Sequence, residues 1–128
     1  MARKRQEGMT DRETELMHVI WSHDEATVEE VRARVKGDLA DSTVRTMLSI
    51  MERKGYLSSR LQGRLRVYRA LIERKEAQSS ALRAMTRRLF QGSPDLLIAR
   101  LIEDEDISIE ELDRMRATLR RRNKELGK

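Results

Sequence analysis

The side chains with the clearest chemical use lie between residues 42 and 54. At 3.6 residues per turn, one side of this stretch carries Ser42, Arg45, Thr46, Ser49 and Arg53. No acid occurs in the stretch before Glu52. Because short hydroxyls and guanidiniums bind phosphates and the edges of bases, this side is suited to nucleic acid. The working hypothesis is a helix that reads DNA.

The sequence offers little for catalysis or metal binding. His18 and His23 are its two histidines and it contains no cysteine, so a zinc site or a histidine base would lack partners. The six glycines are scattered and form no phosphate-binding loop. We therefore expect no metal, no cofactor and no enzymatic activity.

Charge is segregated along the chain. The net charge is −5 from Thr10 to Asp41 but +6 from Ser42 to Ala70, where Glu52 is the one acid. A localised basic segment is typical of a polyanion-binding surface, although a solvated basic face is the alternative.

The elements around this stretch predict a winged helix-turn-helix. In the basic helix itself, Val44, Met47, Leu48 and Met51 form the apolar side, Asp41 or Ser42 caps the start, and Gly55 ends it in a left-handed conformation. Capping boxes Thr10/Glu13 and Thr27/Glu30 begin two earlier helices, joined by a loop at residues 23–26, the second ending at Gly37. Such an order is typical of helix-turn-helix proteins.

A two-stranded hairpin follows. Leu57, Ser59 and Leu61 alternate before a turn at Gln62 and Gly63; beyond it, Leu65 and Val67 face one way, and Arg64, Arg66 and Tyr68 the other. With arginines at its tip, this hairpin is interpreted as a wing, although edge strands also carry charge merely for solubility.

Three further helices are predicted after Glu73, and they carry apolar stripes with no sheet to cover them. Hydrophobic residues make up 38% of the chain, so sharing a core with a second copy would be favourable. The expected dimer interface consists of Leu97, Ile98, Leu101, Ile102, Leu112, Met115 and Leu119. A tail folded back onto the first domain is the alternative.

The predicted organisation is a disordered basic arm (1–8), a winged-helix DNA-binding domain (9–72) and a helical dimerisation domain (73–128). The fold class is mainly α, with three helices and a two-stranded wing followed by three helices. No apolar run reaches the length of a membrane span, so we expect a cytoplasmic protein without membrane contact.

Four segments carry a family resemblance: ELMHVIW, STVRTMLSIMERKGYL, GRLRVYRAL and LFQGSPDLLIARLIEDEDISIEELDRMRATL. Over residues 9–122 the chain resembles the penicillinase-repressor (BlaI/MecI/CopY) family of bacterial winged-helix repressors. The resemblance implies a homodimer that binds a palindromic double-stranded DNA operator, with the third helix in the major groove. Carried over by position, it implies DNA contacts from Ser42, Thr43, Arg45, Thr46, Arg64 and Arg66.

Two departures limit what the resemblance implies about regulation. The metal-binding cysteines of the copper-responsive branch are absent. Where the β-lactam-responsive branch is cleaved at an Asn-Phe bond, this chain has Arg100-Leu101. An upstream sensor or protease therefore stays possible but unsupported.

The leading hypothesis is a dimeric transcriptional repressor. Base readout is assigned to Ser42, Thr43, Arg45, Thr46 and Ser49, and phosphate contacts to Arg53, Lys54, Arg64, Arg66 and Arg69. The alternative is a winged-helix module that binds an acidic protein; RNA binding is disfavoured because only four aromatic residues are present for base stacking.

Overall fold

The computed structural model describes residues 9–128, and the chain divides into two compact units, with the boundary in the sequence between Met85 and Thr86. The arm predicted at residues 1–8 lies outside the described residues. The elements are α1 (Asp11–His23), β1 (Glu25–Thr27), α2 (Val28–Arg34), α3 (Asp41–Arg53), β2 (Leu57–Gln62), β3 (Leu65–Ala70), α4 (Arg74–Leu89), α5 (Pro94–Asp104) and α6 (Ile109–Glu125). This order confirms the predicted, mainly helical fold class.

Capping boxes begin α1, α2 and α6, and those of α1 and α2 are the ones predicted. At α1, Thr10 Oγ1 accepts from the Glu13 backbone N–H at 3.1 Å, while the Thr10 backbone N–H donates to Glu13 Oε1 at 2.9 Å. The same reciprocal pair joins Thr27 to Glu30 and Ser108 to Glu111. Each box satisfies two backbone donors that a helix start otherwise leaves unpaired.

The start of α3 differs from the prediction. Its N-cap is Ala40, and neither Asp41 nor Ser42 supplies a side-chain cap. The Asp41 carboxylate instead accepts from Arg32 Nη1 at 3.1 Å, and Arg32 Nε donates to the Leu39 carbonyl at 3.0 Å. The cap prediction was wrong because Arg32 of α2 binds both Asp41 and the Leu39 carbonyl and so stabilises this turn. The end predicted for α2 was also wrong, since α2 ends at Arg34 and not at Gly37.

The apolar side of α3 lies in the core of the first unit. Val44, Leu48 and Met51 are fully buried with Leu16 and Ile20 of α1, whereas Met47 is only half-buried. Burying an aliphatic side chain of this size stabilises the fold by roughly 1.5–3 kcal/mol. The core contacts thereby set which side of α3 faces outward.

The sheet contains three antiparallel strands in the order β1-β3-β2, and β1 occupies the segment predicted to be a loop. Ala26 lies opposite Tyr68, which in turn lies opposite Ser59. Tyr68 was predicted to share the exposed face of the arginines, but it is 2% exposed and belongs to the core. The Tyr68 side of the wing's base is therefore packed into the core, whereas the tip is open to solvent.

Two glycines shape the ends of α3 and the hairpin. Gly55 adopts the left-handed conformation predicted for it, with φ of 89°. The hairpin turn consists of Gly63 and Arg64, one residue later than predicted, and Gly63 has φ of 65°. Glycine is favoured at the first position of a two-residue turn with positive φ. The shift places Arg64 at the extreme tip.

The second unit contains the last residues of α4 together with α5 and α6. Ser93 caps α5, and Pro94 occupies its first turn. No residue of α5 or α6 is buried. Across residues 9–128, no helix combines the length and apolar character that crossing a membrane requires.

A buried carboxylate joins the start of α1 to the end of α3. Glu13 is 6% exposed, and its Oε2 accepts from Lys54 Nζ at 2.8 Å while its other oxygen closes the α1 capping box. The hydrogen bond that Lys54 donates to Glu13 raises the pKa of Lys54. Glu13 therefore stabilises the start of α1 and the position of the end of α3.

Replacing Glu13 tests this connection. We expect Glu13→Ala to lower the free energy of unfolding by roughly 1–3 kcal/mol, since both a cap and a part-buried ion pair are lost. The control is Glu15→Ala, which removes a more exposed pair with Arg12 and should cost less than about 1 kcal/mol. Urea denaturation measures both; equal losses would contradict the assigned role of Glu13.

Candidate nucleic-acid interface

The outward side of α3 presents the predicted base-reading residues together. Those side chains are all exposed: Ser42, Thr43, Arg45, Thr46 and Ser49. Arg53, one of the predicted phosphate contacts, is exposed at the end of the same helix. Because the opposite side of α3 is buried, these residues form a continuous polar strip held by a rigid element.

The wing brings two more arginines to the start of α3. Arg45 of α3, Arg64 of the turn and Arg66 of β3 line one cleft of about 340 Å³. Its wall also includes Asp41, which Arg32 holds, and Glu29 of α2. We call the exposed side chains of α3 together with Arg64 and Arg66 the α3–wing surface.

Several cations of the α3–wing surface lack a protein anion. Within the part of the chain that the structure describes, the side chains of Arg45, Arg53 and Arg64 form no ion pair or hydrogen bond. Guanidiniums in this state retain their full set of planar donors. They are suited to bidentate contact with phosphates or guanine edges, as a polyanion-binding surface requires.

Two of the predicted phosphate contacts lie elsewhere. Lys54 is engaged with Glu13, as described above, and its ammonium lies 5.9 Å from the centre of the Tyr56 ring. Arg69 lies opposite Glu25 in the sheet, on the face turned away from Tyr68. Arg69 also lines a separate cleft of about 1020 Å³ with several carboxylates. Lys54 is therefore already paired with an acid, and Arg69 lies on the opposite face of the sheet from Arg66.

The sequence did not reveal the polar contacts that hold the sheet. Arg60 donates to the two oxygens of Glu25 at 2.6 and 3.1 Å, and this hydrogen bonding lowers the pKa of the Glu25 carboxyl. On the other face, Ser59 contacts both Glu52 and Arg66. The alternation of β2 indicates that Ser59 and Arg60 face opposite sides of the sheet. Their partners lie 7 and 35 residues away in the sequence, so no local pattern predicts these contacts.

Both histidines make local contacts within α1. The ring of the exposed His18 makes an edge contact with Trp21 at 5.4 Å between centroids. His23 ends α1, and its Nδ1 lies 2.8 Å from the Val19 carbonyl oxygen. No group of three or more metal-ligating side chains occurs among residues 9–128.

The predicted interface residues of the second unit are open to solvent or half-buried. The exposed fractions are 52% for Ile98, 44% for Leu101, 51% for Ile102, 52% for Met115 and 52% for Leu119. Leu97 and Leu112 are half-buried. Exposed apolar side chains concentrated on two helices are typical of a surface that binds a partner.

Comparison with known proteins identifies the family. The penicillinase repressor family matches residues 9–121. The chain is 21% identical over 112 residues to the methicillin resistance regulatory protein MecI of Staphylococcus aureus (strain N315), covering 86% of this chain and 91% of that protein. It is 26% identical over 109 residues to the penicillinase repressor of Bacillus licheniformis, covering 84% and 85% respectively.

A solved structure is also similar. The DNA-binding domain of the repressor BlaI, determined in solution, superposes with a TM-score of 0.50 at 31% identity, covering 57% of this chain and 92% of that domain. The family predicted from the sequence motifs is confirmed by these matches, and the match to the family itself extends over residues 9–121. The chain therefore belongs to the penicillinase repressor family, a family of transcriptional repressors and not of enzymes.

Proposed function

We propose that this repressor acts as a homodimer that binds a palindromic operator in double-stranded DNA through the α3–wing surface. The observation that carries the proposal is the convergence of Arg45, Arg64 and Arg66 on one cleft beside the hydroxyls of α3. Because DNA presents phosphates on both sides of each groove, a helix in the major groove needs cations on its flanks. The wing supplies such a flank.

The proposed contacts divide into two chemical roles. Arg45, Thr46 and Ser49 lie along the exposed side of α3 and would reach base edges. Ser42 and Thr43 lie at the start of α3, which would be the end nearest the DNA backbone. Phosphate contacts come from Arg53, Arg64 and Arg66. Lys54 and Arg69 take a smaller share, because Glu13 and Glu25 already lie beside them.

Dimerisation is proposed from the second unit. A second copy would cover the exposed side chains of α5 and α6 identified above, whose burial favours association. Charge along α6 supports an antiparallel partner: acids lie in its first turn and bases in its last, so two antiparallel copies set opposite charges together. A dimer also suits a palindromic operator, whose half-sites mirror protein symmetry.

Arg45→Ala tests direct readout of DNA by α3. On a duplex enriched by the wild-type protein from a random library, we expect a loss of roughly 1–3 kcal/mol and relaxed preference at one base pair. The loss on unselected duplex DNA should be smaller, since no base contact exists there. Fluorescence anisotropy at fixed salt concentration measures both affinities.

The matched control is Arg83→Ala, which removes an exposed arginine of α4 outside the α3–wing surface. It should leave both affinities nearly unchanged. If Arg45→Ala weakened the selected and unselected duplexes equally, Arg45 would be a phosphate contact only. If the wild-type protein bound neither duplex at low salt, DNA binding itself would be refuted.

Leu101→Asp tests the dimer. We expect a monomer by sedimentation, because a charge is introduced into the apolar surface. We also expect an at least tenfold lower affinity for the selected duplex, because a monomer cannot bind both half-sites at once. Leu71→Asp is the control, since Leu71 is 58% exposed but belongs to the first unit. A Leu101→Asp protein that still sediments as a dimer would place the interface elsewhere.

A further inference from the structure

We propose that Ser59 is a positioning residue for DNA binding, which holds Arg66 of the wing available to phosphate by keeping it apart from Glu52 of α3. This inference rests on the proposed DNA-binding function and assigns a role to two residues outside the predicted contacts. The three side chains join the recognition helix to the wing through a single hydroxyl group.

The geometry defines the direction of each hydrogen bond. Ser59 Oγ lies 3.0 and 2.9 Å from the two carboxylate oxygens of Glu52, which can only accept. Arg66 Nη1, which can only donate, lies 3.0 Å from the same Ser59 oxygen. The hydroxyl therefore donates to the carboxylate and accepts from the guanidinium, using both of its capacities.

The register of the sheet explains why these groups meet. Ser59 lies opposite Tyr68, and Arg66 lies opposite Leu61, so Ser59 and Arg66 are diagonal neighbours on the face of the sheet turned toward the helices. Burial raises the pKa of Tyr68, and the nearby charge of Glu52 raises it further. The hydrogen bond that Ser59 donates shows that the Glu52 carboxylate is directed toward the wing.

The opposite charges of Glu52 and Arg66 make the Ser59 hydroxyl between them important for the charge that Arg66 presents to DNA. Glu52 is the one acid between Ser42 and Ala70, and among the described residues it forms no direct ion pair with Arg66. Both groups instead bind the same neutral oxygen. If that oxygen were removed, the carboxylate and guanidinium would attract each other directly across the gap, and Arg66 would be neutralised before it reached DNA.

A salt titration separates this role from a structural one. The slope of log Kobs against log salt on unselected duplex DNA reports phosphate contacts, at about 0.9 per contact. Arg66→Ala should make the slope shallower by about 0.9 per protomer. Ser59→Ala should shift the slope in the same direction by a comparable amount, although Arg66 itself is still present.

Three further variants test the mechanism. Ser59→Ala combined with Glu52→Gln should restore the wild-type slope, because a neutral amide does not capture Arg66. Ser59→Thr should keep the wild-type slope, since it retains the hydroxyl. Ser58→Ala is the matched control one residue earlier on β2, on the opposite face of the strand, and should not change the slope. Thermal melts establish that each variant is folded.

The outcomes distinguish the inference from the function on which it rests. A wild-type slope for Ser59→Ala, with a shallow slope for Arg66→Ala, would overturn the positioning role and leave DNA binding intact. A shallow slope for Ser59→Ala that Glu52→Gln fails to restore would overturn it as well. An unchanged slope for Arg66→Ala would remove the wing from the DNA interface and the inference with it.

Discussion

The burial of the apolar side of α3, in a core that it shares with α1, α2 and the sheet, determines the arrangement of the α3–wing surface in the first unit. Val44 and Leu48 are fully buried with Leu16 and Ile20, so α3 cannot rotate about its axis without exposing them. A rotation by one residue would move each side chain by about 100°. The outward direction of Arg45 and its neighbouring hydroxyls is therefore a consequence of hydrophobic burial.

The placement of acids complements that constraint. Four carboxylates near the basic segment are engaged by other side chains: Glu13 with Lys54, Glu25 with Arg60, Asp41 with Arg32 and Glu52 with Ser59. The arginines of the α3–wing surface are left without such partners, apart from the neutral contact of Arg66 with Ser59. The net charge of the chain is only +5, but the fold concentrates unpaired positive charge on the α3–wing surface.

Local signals in the sequence predicted much of this arrangement, and distant ones did not. Capping boxes such as Thr10/Glu13, the left-handed Gly55 and the buried side of α3 follow from residues within a few positions of one another. The strand β1 has three residues and exists only because β3 pairs with it, so no periodicity marks it. The Arg32 contact that replaces a cap on α3, and the burial of Tyr68, likewise depend on tertiary packing.

The measurement that tests the central claim most directly is an amide chemical-shift titration of the full chain with duplex DNA of about 20 base pairs, which spans two half-sites. The account predicts the largest shifts along α3 and at the turn formed by Gly63 and Arg64, with little change at Glu25–Thr27 on the far edge of the sheet. Shifts centred on Glu25–Thr27, or no shifts at low salt, would contradict it.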